Sequence, residues 1–159
     1  MGRSRAVGKR RGGPWYSEGP SRLRFERNTA GKFPDLRART HLSGPKKGRI
    51  YTVTLEVPHY DARGVEIWFR SDGPQHAEVR ADGPTSSPHR YDERRLCMWY
   101  PGDPLQQRWV LRDGLLCLLG MTSAHLFREA WWRETGEWLG PAVAHGGDPK
   151  VTREVDESS

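Results

Sequence analysis

The chain contains two thiols, Cys97 and Cys117, in opposite surroundings. Cys97 lies in Pro88-His89-Arg90-Tyr91-Asp92-Glu93-Arg94-Arg95-Leu96-Cys97-Met98-Trp99-Tyr100-Pro101-Gly102-Asp103-Pro104, a stretch with three prolines and no sustained hydrophobic period. Such a stretch reads as a loop. A thiolate is a strong nucleophile even when it is a minor species at neutral pH, and a thioester stays reactive towards amines. Cys97 is therefore a candidate acyl carrier. Arg94 and Arg95, just upstream, would favour the thiolate if they face it. The alternative for Cys97 is a small buried hydrophobe. Cys117, between Leu115-Leu116 and Leu118-Leu119, reads as core.

Three neighbours could serve a reactive Cys97, and each also has a structural reading. His89, eight positions before it, could act as acid or base, or bond loop backbone and shape the site. Tyr91 could donate its hydroxyl to a developing oxyanion, or simply pack. Asp103, in a Pro-Gly-Asp-Pro turn, could orient or deprotonate an acceptor amine. Aspartate is equally a normal turn residue. His145 could fold back near the site or cap the C-terminal segment, and His125 reads as a helix-surface residue. The pair Trp131-Trp132 reads as core and interface. Two cysteines make no disulfide framework, and metal-ligand spacing is absent. No cofactor and no metal are expected.

The elements that must position this loop are readable by period. Ile50 to Val57 alternates Tyr51, Val53, Leu55 and Val57 against Thr52, Thr54 and Glu56. Val65 to Arg70 and His76 to Ala81 alternate in the same way. Period two predicts strands with one buried face, and links such as Ser71-Asp72-Gly73-Pro74 predict antiparallel neighbours. Before the strands, Ser21 reads as the N-cap of a short helix over 22–28, stopped by Gly31 and Pro34. Residues 35–48 read as loop or a short edge strand. After the cysteine loop, Trp109 and Val110 re-enter the core. Asp113 then reads as the N-cap of a helix to about Gly120, with a second amphipathic segment from Ser123 to Thr135. Gly120 reads as a kink or break. In that second segment Leu126, Phe127, Ala130 and Trp131 share a face, with Arg128, Glu129, Arg133 and Glu134 mostly outside.

At 159 residues the chain is most simply one domain, over 20–145, with a basic disordered tail at 1–19 and a polar disordered tail at 146–159. Trp15 and Tyr16 are expected to dock at the end of the first tail. Arg3, Arg5, Lys9, Arg10 and Arg11 carry five of the six net positive charges. The remainder is near neutral, which argues against a nucleic-acid module beyond weak contact through the tail. No apolar run approaches the roughly 20 residues that span a bilayer. The basic start lacks the apolar core of a secretory signal. The expectation is a cytoplasmic protein with reduced thiols.

The order helix, antiparallel meander, histidine-cysteine loop and C-terminal helices resembles the ubiquitin-conjugating (UBC) fold, so the expected class is α+β and UBC-like. The segment His89-Arg90-Tyr91-Asp92 … Leu96-Cys97 is similar to the His-Arg-Tyr … Leu-Cys loop of bacterial ubiquitin-conjugating-like proteins. Ala124 to Pro141, followed by His145, is similar to their closing helix, and Trp109 sits where they carry a tryptophan. The resemblance implies a transferase. An adenylating enzyme loads the C-terminus of a small protein onto the cysteine as a thioester, and the acyl group passes to an amine. In bacterial anti-phage operons of the cyclic-oligonucleotide (CBASS) type, it implies action on the C-terminus of a cGAS-like nucleotidyltransferase. The partners implied are thus a separate activating enzyme and either a ubiquitin-like protein or that nucleotidyltransferase. The chain has no G-x-G-x-x-G turn of its own. The runner-up is a non-catalytic UBC-fold adaptor that binds a conjugation partner, and an exposed, electropositive Cys97 would separate the two. Eukaryotic ubiquitin-conjugating enzymes carry His-Pro-Asn in this loop, where the asparagine amide helps stabilise the oxyanion. Here the triplet is His89-Arg90-Tyr91, which leaves the oxyanion donor unassigned.

Overall fold

The computed structural model describes residues 12–100 and 102–140. The expected tail up to residue 11, Pro101, His145 and the tail 146–159 lie outside the described residues. Four strands form one antiparallel sheet in chain order: β1 (Arg37–His41), β2 (Gly48–Val57), β3 (Tyr60–Arg70) and β4 (Ala77–Ala81). The fold is α+β. Alternation sets the register, with Tyr51 opposite Ile67 and Ile67 opposite Val79. Tyr51, Val53, Leu55, Val57, Val65, Ile67, Phe69, Val79 and Ala81 all turn to one buried face. Gly48, at a φ of 140°, has no room for a side chain, because a Cβ there would run into the Phe69 carbonyl. The opposite face carries Trp68, with the Arg70 and Arg80 guanidinium groups 4.9 and 4.4 Å from its ring centre.

One helix, α2 (Gly114–Thr135), covers the buried face. The expected break at Gly120 does not occur. Leu115, Leu118, Leu119, Thr122 and Leu126 form one continuous buried stripe through it, and Gly120 sits on the solvent side. A glycine costs a helix only about 1 kcal/mol, which packing on both sides of it outweighs. The same stripe corrects three further expectations. At about 100° per residue, Cys117 falls roughly 200° round from Leu115, so it is exposed rather than core. His125 and Glu129 fall within the stripe and are buried, not on the surface. Asp113 precedes the helix as expected, but its carboxylate accepts the Val110 N–H at 2.9 Å instead of capping. Gly136, left-handed at a φ of 77°, ends the helix, and its N–H donates to the Trp132 carbonyl at 2.8 Å.

The other end of the core is aromatic. Trp15 and Tyr16 lie in a 3₁₀ turn (Trp15–Ser17), and Trp15 packs 4.4 Å from Phe25 and 5.3 Å from Phe69, ring centre to ring centre. Phe25 ends α1 (Gly19–Phe25), so this helix starts earlier and stops earlier than 22–28. Ser21 is not its cap. It lies inside the first turn, and its hydroxyl donates to Glu18 at 3.3 Å. Beyond α1, Glu26 accepts the Tyr51 hydroxyl at 2.6 Å and Arg49 at 2.7 Å, tying the helix end to β2. Trp109 is 4 % exposed, and its indole N–H donates to the Gly114 carbonyl at 2.9 Å.

Candidate active site

The loop between β4 and α2 folds back on itself as a short hairpin. The Tyr91 N–H donates to the Arg95 carbonyl at 2.9 Å, and the Cys97 N–H to the His89 carbonyl at 3.1 Å. Asp92 makes the turn, its Oδ1 accepting the N–H groups of Arg94 and Arg95 at 2.9 and 2.8 Å. Those two bonds hold its carboxyl below the usual range. The returning limb adds to the edge of β4: the Leu96 N–H donates to the Val79 carbonyl at 2.8 Å, and the Ala81 N–H to the Arg94 carbonyl at 3.0 Å. The hairpin thereby covers part of an edge that would otherwise present unpaired backbone.

Cys97 follows directly on this pairing and is 1 % exposed. Tyr91, half-exposed, donates its hydroxyl to the Trp99 carbonyl at 3.5 Å, and that hydroxyl also acts on the Cys97 thiol. The Arg95 guanidinium lies 4.8 Å from the Tyr91 ring centre. Asp103 folds against Tyr100, accepting its N–H at 2.9 Å and donating its own N–H to the Tyr100 carbonyl at 3.1 Å. Its charge reaches Cys97. Burial pushes the Cys97 thiol up, the Tyr91 hydroxyl pulls it down, Asp103 pushes it up and Arg95 pulls it down; the balance lies above an ordinary thiol. Tyr91 itself is pushed up to about 12, by burial first and then by Cys97. Of the two expected arginines, Arg95 acts on the thiol and Arg94 is exposed. A cleft bordered by His76, Glu78, Tyr91, Arg95, Met98 and Trp99 runs beside the loop.

His89 is 6 % exposed and meets Cys97 through backbone. Its ring lies against Trp138, with centres 4.3 Å apart, so the chain after α2 does fold back to pack. His125 packs against the same indole, ring centres 5.4 Å apart. Its pKa is pushed down to about 4 by burial, against the pull of Glu129. The structure therefore groups Tyr91, Cys97 and Asp103, and sets the His89 ring into a second cluster with Trp138 and His125.

Two residues of consequence had no role in the sequence reading. Arg90 and Glu129, 39 positions apart, form a buried ion pair behind the loop. Glu129 could have been found by extending the Leu115-Leu118-Leu119-Thr122 stripe by two turns. Nothing in the sequence pointed from Arg90 to its partner.

Among the described residues, no group of three or more His, Cys, Asp or Glu side chains is placed to hold a metal ion. No described helix is long and apolar enough to cross a membrane. A family model described as the type II CBASS E2 protein matches residues 24–146. The chain belongs to the type II CBASS E2 family. This makes it an E2-like protein of CBASS antiviral defence, and the match takes in every residue of the Cys97 site and the Arg90–Glu129 pair. Searches among curated proteins and among solved structures find no match.

Proposed function

We propose that this CBASS E2 is a ubiquitin-conjugating-like transferase with a UBC-like arrangement, and that Cys97 carries a partner protein's C-terminus as a thioester. The observation that carries the reading is the hairpin that pins Cys97 by its N–H to the His89 carbonyl at 3.1 Å, with the stacked Tyr91 and Arg95 and the flanking Leu96 and Met98 lining a cleft. The donor arrives as an acyl adenylate made by a separate activating enzyme. The thiolate attacks its carbonyl carbon, a C–S bond forms, the C–O bond to the phosphate breaks, and AMP leaves. An acceptor amine then attacks the thioester. The C–N bond forms, the C–S bond breaks, and the proton lost by the amine leaves the Cys97 sulfur restored as thiol. Tyr91 is the candidate oxyanion donor in both steps, in place of an asparagine amide. Asp103 is the candidate for orienting the amine and taking its proton. His89 shapes the loop. The cleft beside Tyr91 and Arg95 would receive the donor's C-terminal segment. That donor is a ubiquitin-like protein or the C-terminus of a cGAS-like nucleotidyltransferase, met in the cytoplasm. Because Cys97 is covered at rest, loading requires the loop around it to open.

A specific observation favours the second reading, a non-catalytic adaptor: Cys97 is buried and its thiol is pushed up, not down. Incubation of the full chain with the activating enzyme and donor encoded beside it and ATP, followed by mass spectrometry, separates the two. A carrier gives a reductant-sensitive adduct on Cys97 that Cys97→Ser converts to a stable ester. An adduct that survives Cys97→Ala unchanged, or binding of the donor with no adduct at all, sinks the carrier reading.

A further inference from the structure

Arg90 reaches from the hairpin into the underside of α2. Its Nε donates to Glu129 Oε2 at 2.7 Å and its Nη2 to Oε1 at 2.8 Å, a bidentate fork. The third nitrogen, Nη1, donates to the Glu93 carbonyl at 2.6 Å, inside the same hairpin. The two side chains are 4 % and 0 % exposed. A second strut runs alongside, where Arg133 Nη1 donates to the Ser86 carbonyl at 3.1 Å. An ion pair this buried is poor at adding stability, because desolvation offsets most of the attraction. What it does well is select one geometry, since each charge is costly anywhere else. The geometry selected here is that of the thiol. His89, before Arg90, supplies the carbonyl that takes the Cys97 N–H, and Tyr91, after it, donates its N–H to the Arg95 carbonyl across the same hairpin. Arg90 also bridges Leu96, the residue before Cys97.

We propose that Arg90 and Glu129 are the positioning pair of the Cys97 site, holding the chain neighbours of Arg90, His89 and Tyr91, in the hairpin so that the thiol rests covered. The inference deepens the reading of Cys97 as the reactive thiol and rests on it. Neither residue touches a reacting atom, so each acts through the loop.

Arg90→Met with Glu129→Leu replaces the pair by apolar side chains of similar size, a change buried pairs often tolerate. It is made in the full chain on a Cys117→Ser background, so that Cys97 is the only thiol. The readout is the rate of Cys97 alkylation by iodoacetamide as a function of pH. In the parent, alkylation is slow, with its midpoint above an ordinary thiol. In the double variant, melting close to the parent, the rate at neutral pH rises about tenfold and the midpoint moves down towards about 8.5, as the loop opens and Cys97 meets water. A merely structural pair would move the melting temperature and not this profile. A folded double variant with the parental rate and midpoint overturns the proposal. Should the double variant fail to fold, Glu129→Gln, which keeps the shape and drops the charge, carries the same readout, with a faster rate supporting positioning and a parental rate overturning it. Alkylation needs neither donor nor activating enzyme. A parent that forms no thioester would therefore sink the carrier reading while leaving this measurement to decide the pair.

Discussion

The indole of Trp138 packs against two imidazoles, 4.3 Å from His89 and 5.4 Å from His125, ring centre to ring centre. It comes from the segment after α2 and closes the back of the hairpin that presents Cys97. Trp138→Ala removes that cover from both histidines. It is expected to cost about 1–3 kcal/mol, below a fully buried tryptophan because Trp138 is only half-buried. Urea unfolding with an unchanged slope checks it.

His125 makes the fold acid-sensitive in a particular window. Its folded pKa is depressed to about 4 from 6.5, with burial as the main cause. A depressed histidine leaves the unfolded chain binding the extra proton first. Its contribution is therefore fully present above pH 6.5 and is lost as the pH falls towards about 4. The slope is at most about 1.4 kcal/mol per pH unit. His125→Gln is expected to flatten the curve of melting temperature against pH between those limits; an equally steep curve in the variant would assign the loss to other groups.

Tyr91→Phe removes the hydroxyl that lowers the Cys97 pKa. With burial and Asp103 left to push upward, the thiol titrates at still higher pH, and less thiolate is present at any given pH. The midpoint of the Cys97 alkylation profile is expected to move up. A midpoint that moves down would mean that opening the site to water outweighs the lost hydroxyl.

Gly120→Ala tests the unbroken helix. The glycine sits mid-helix on the solvent side, and a Cβ built there meets nothing within 4 Å. Alanine is expected to stabilise the protein by about 0.5–1 kcal/mol. A destabilising result by thermal melting would indicate strain at this turn.

Much of the fold was legible because its causes are local. Period-two alternation in 50–57, 65–70 and 76–81 reports which side chains face the core, and the strands and their antiparallel order followed. The helix was harder. Gly120 has a low propensity, and propensity alone predicts a break there. The leucine stripe crossing it decides the matter, because packing energy accumulates along the whole face. Cys117 and Glu129 depart from their local reading for the same reason: angular position round the helix outweighs flanking residues and charge.

The sequence by itself determined the chemistry on offer: one thiol in a proline-bounded loop, with a histidine, a tyrosine and an aspartate within a few positions of it. These are properties of residue type and short spacing. Only the tertiary structure decided how they are used. It stacked Tyr91 with Arg95 across the hairpin, turned the His89 ring towards Trp138, and buried Cys97 while exposing Cys117. It also joined Arg90 to Glu129 across 39 positions. Such a pairing leaves no local pattern, because a guanidinium in a loop and a carboxylate on a helix look solvent-bound until the fold removes the water from both.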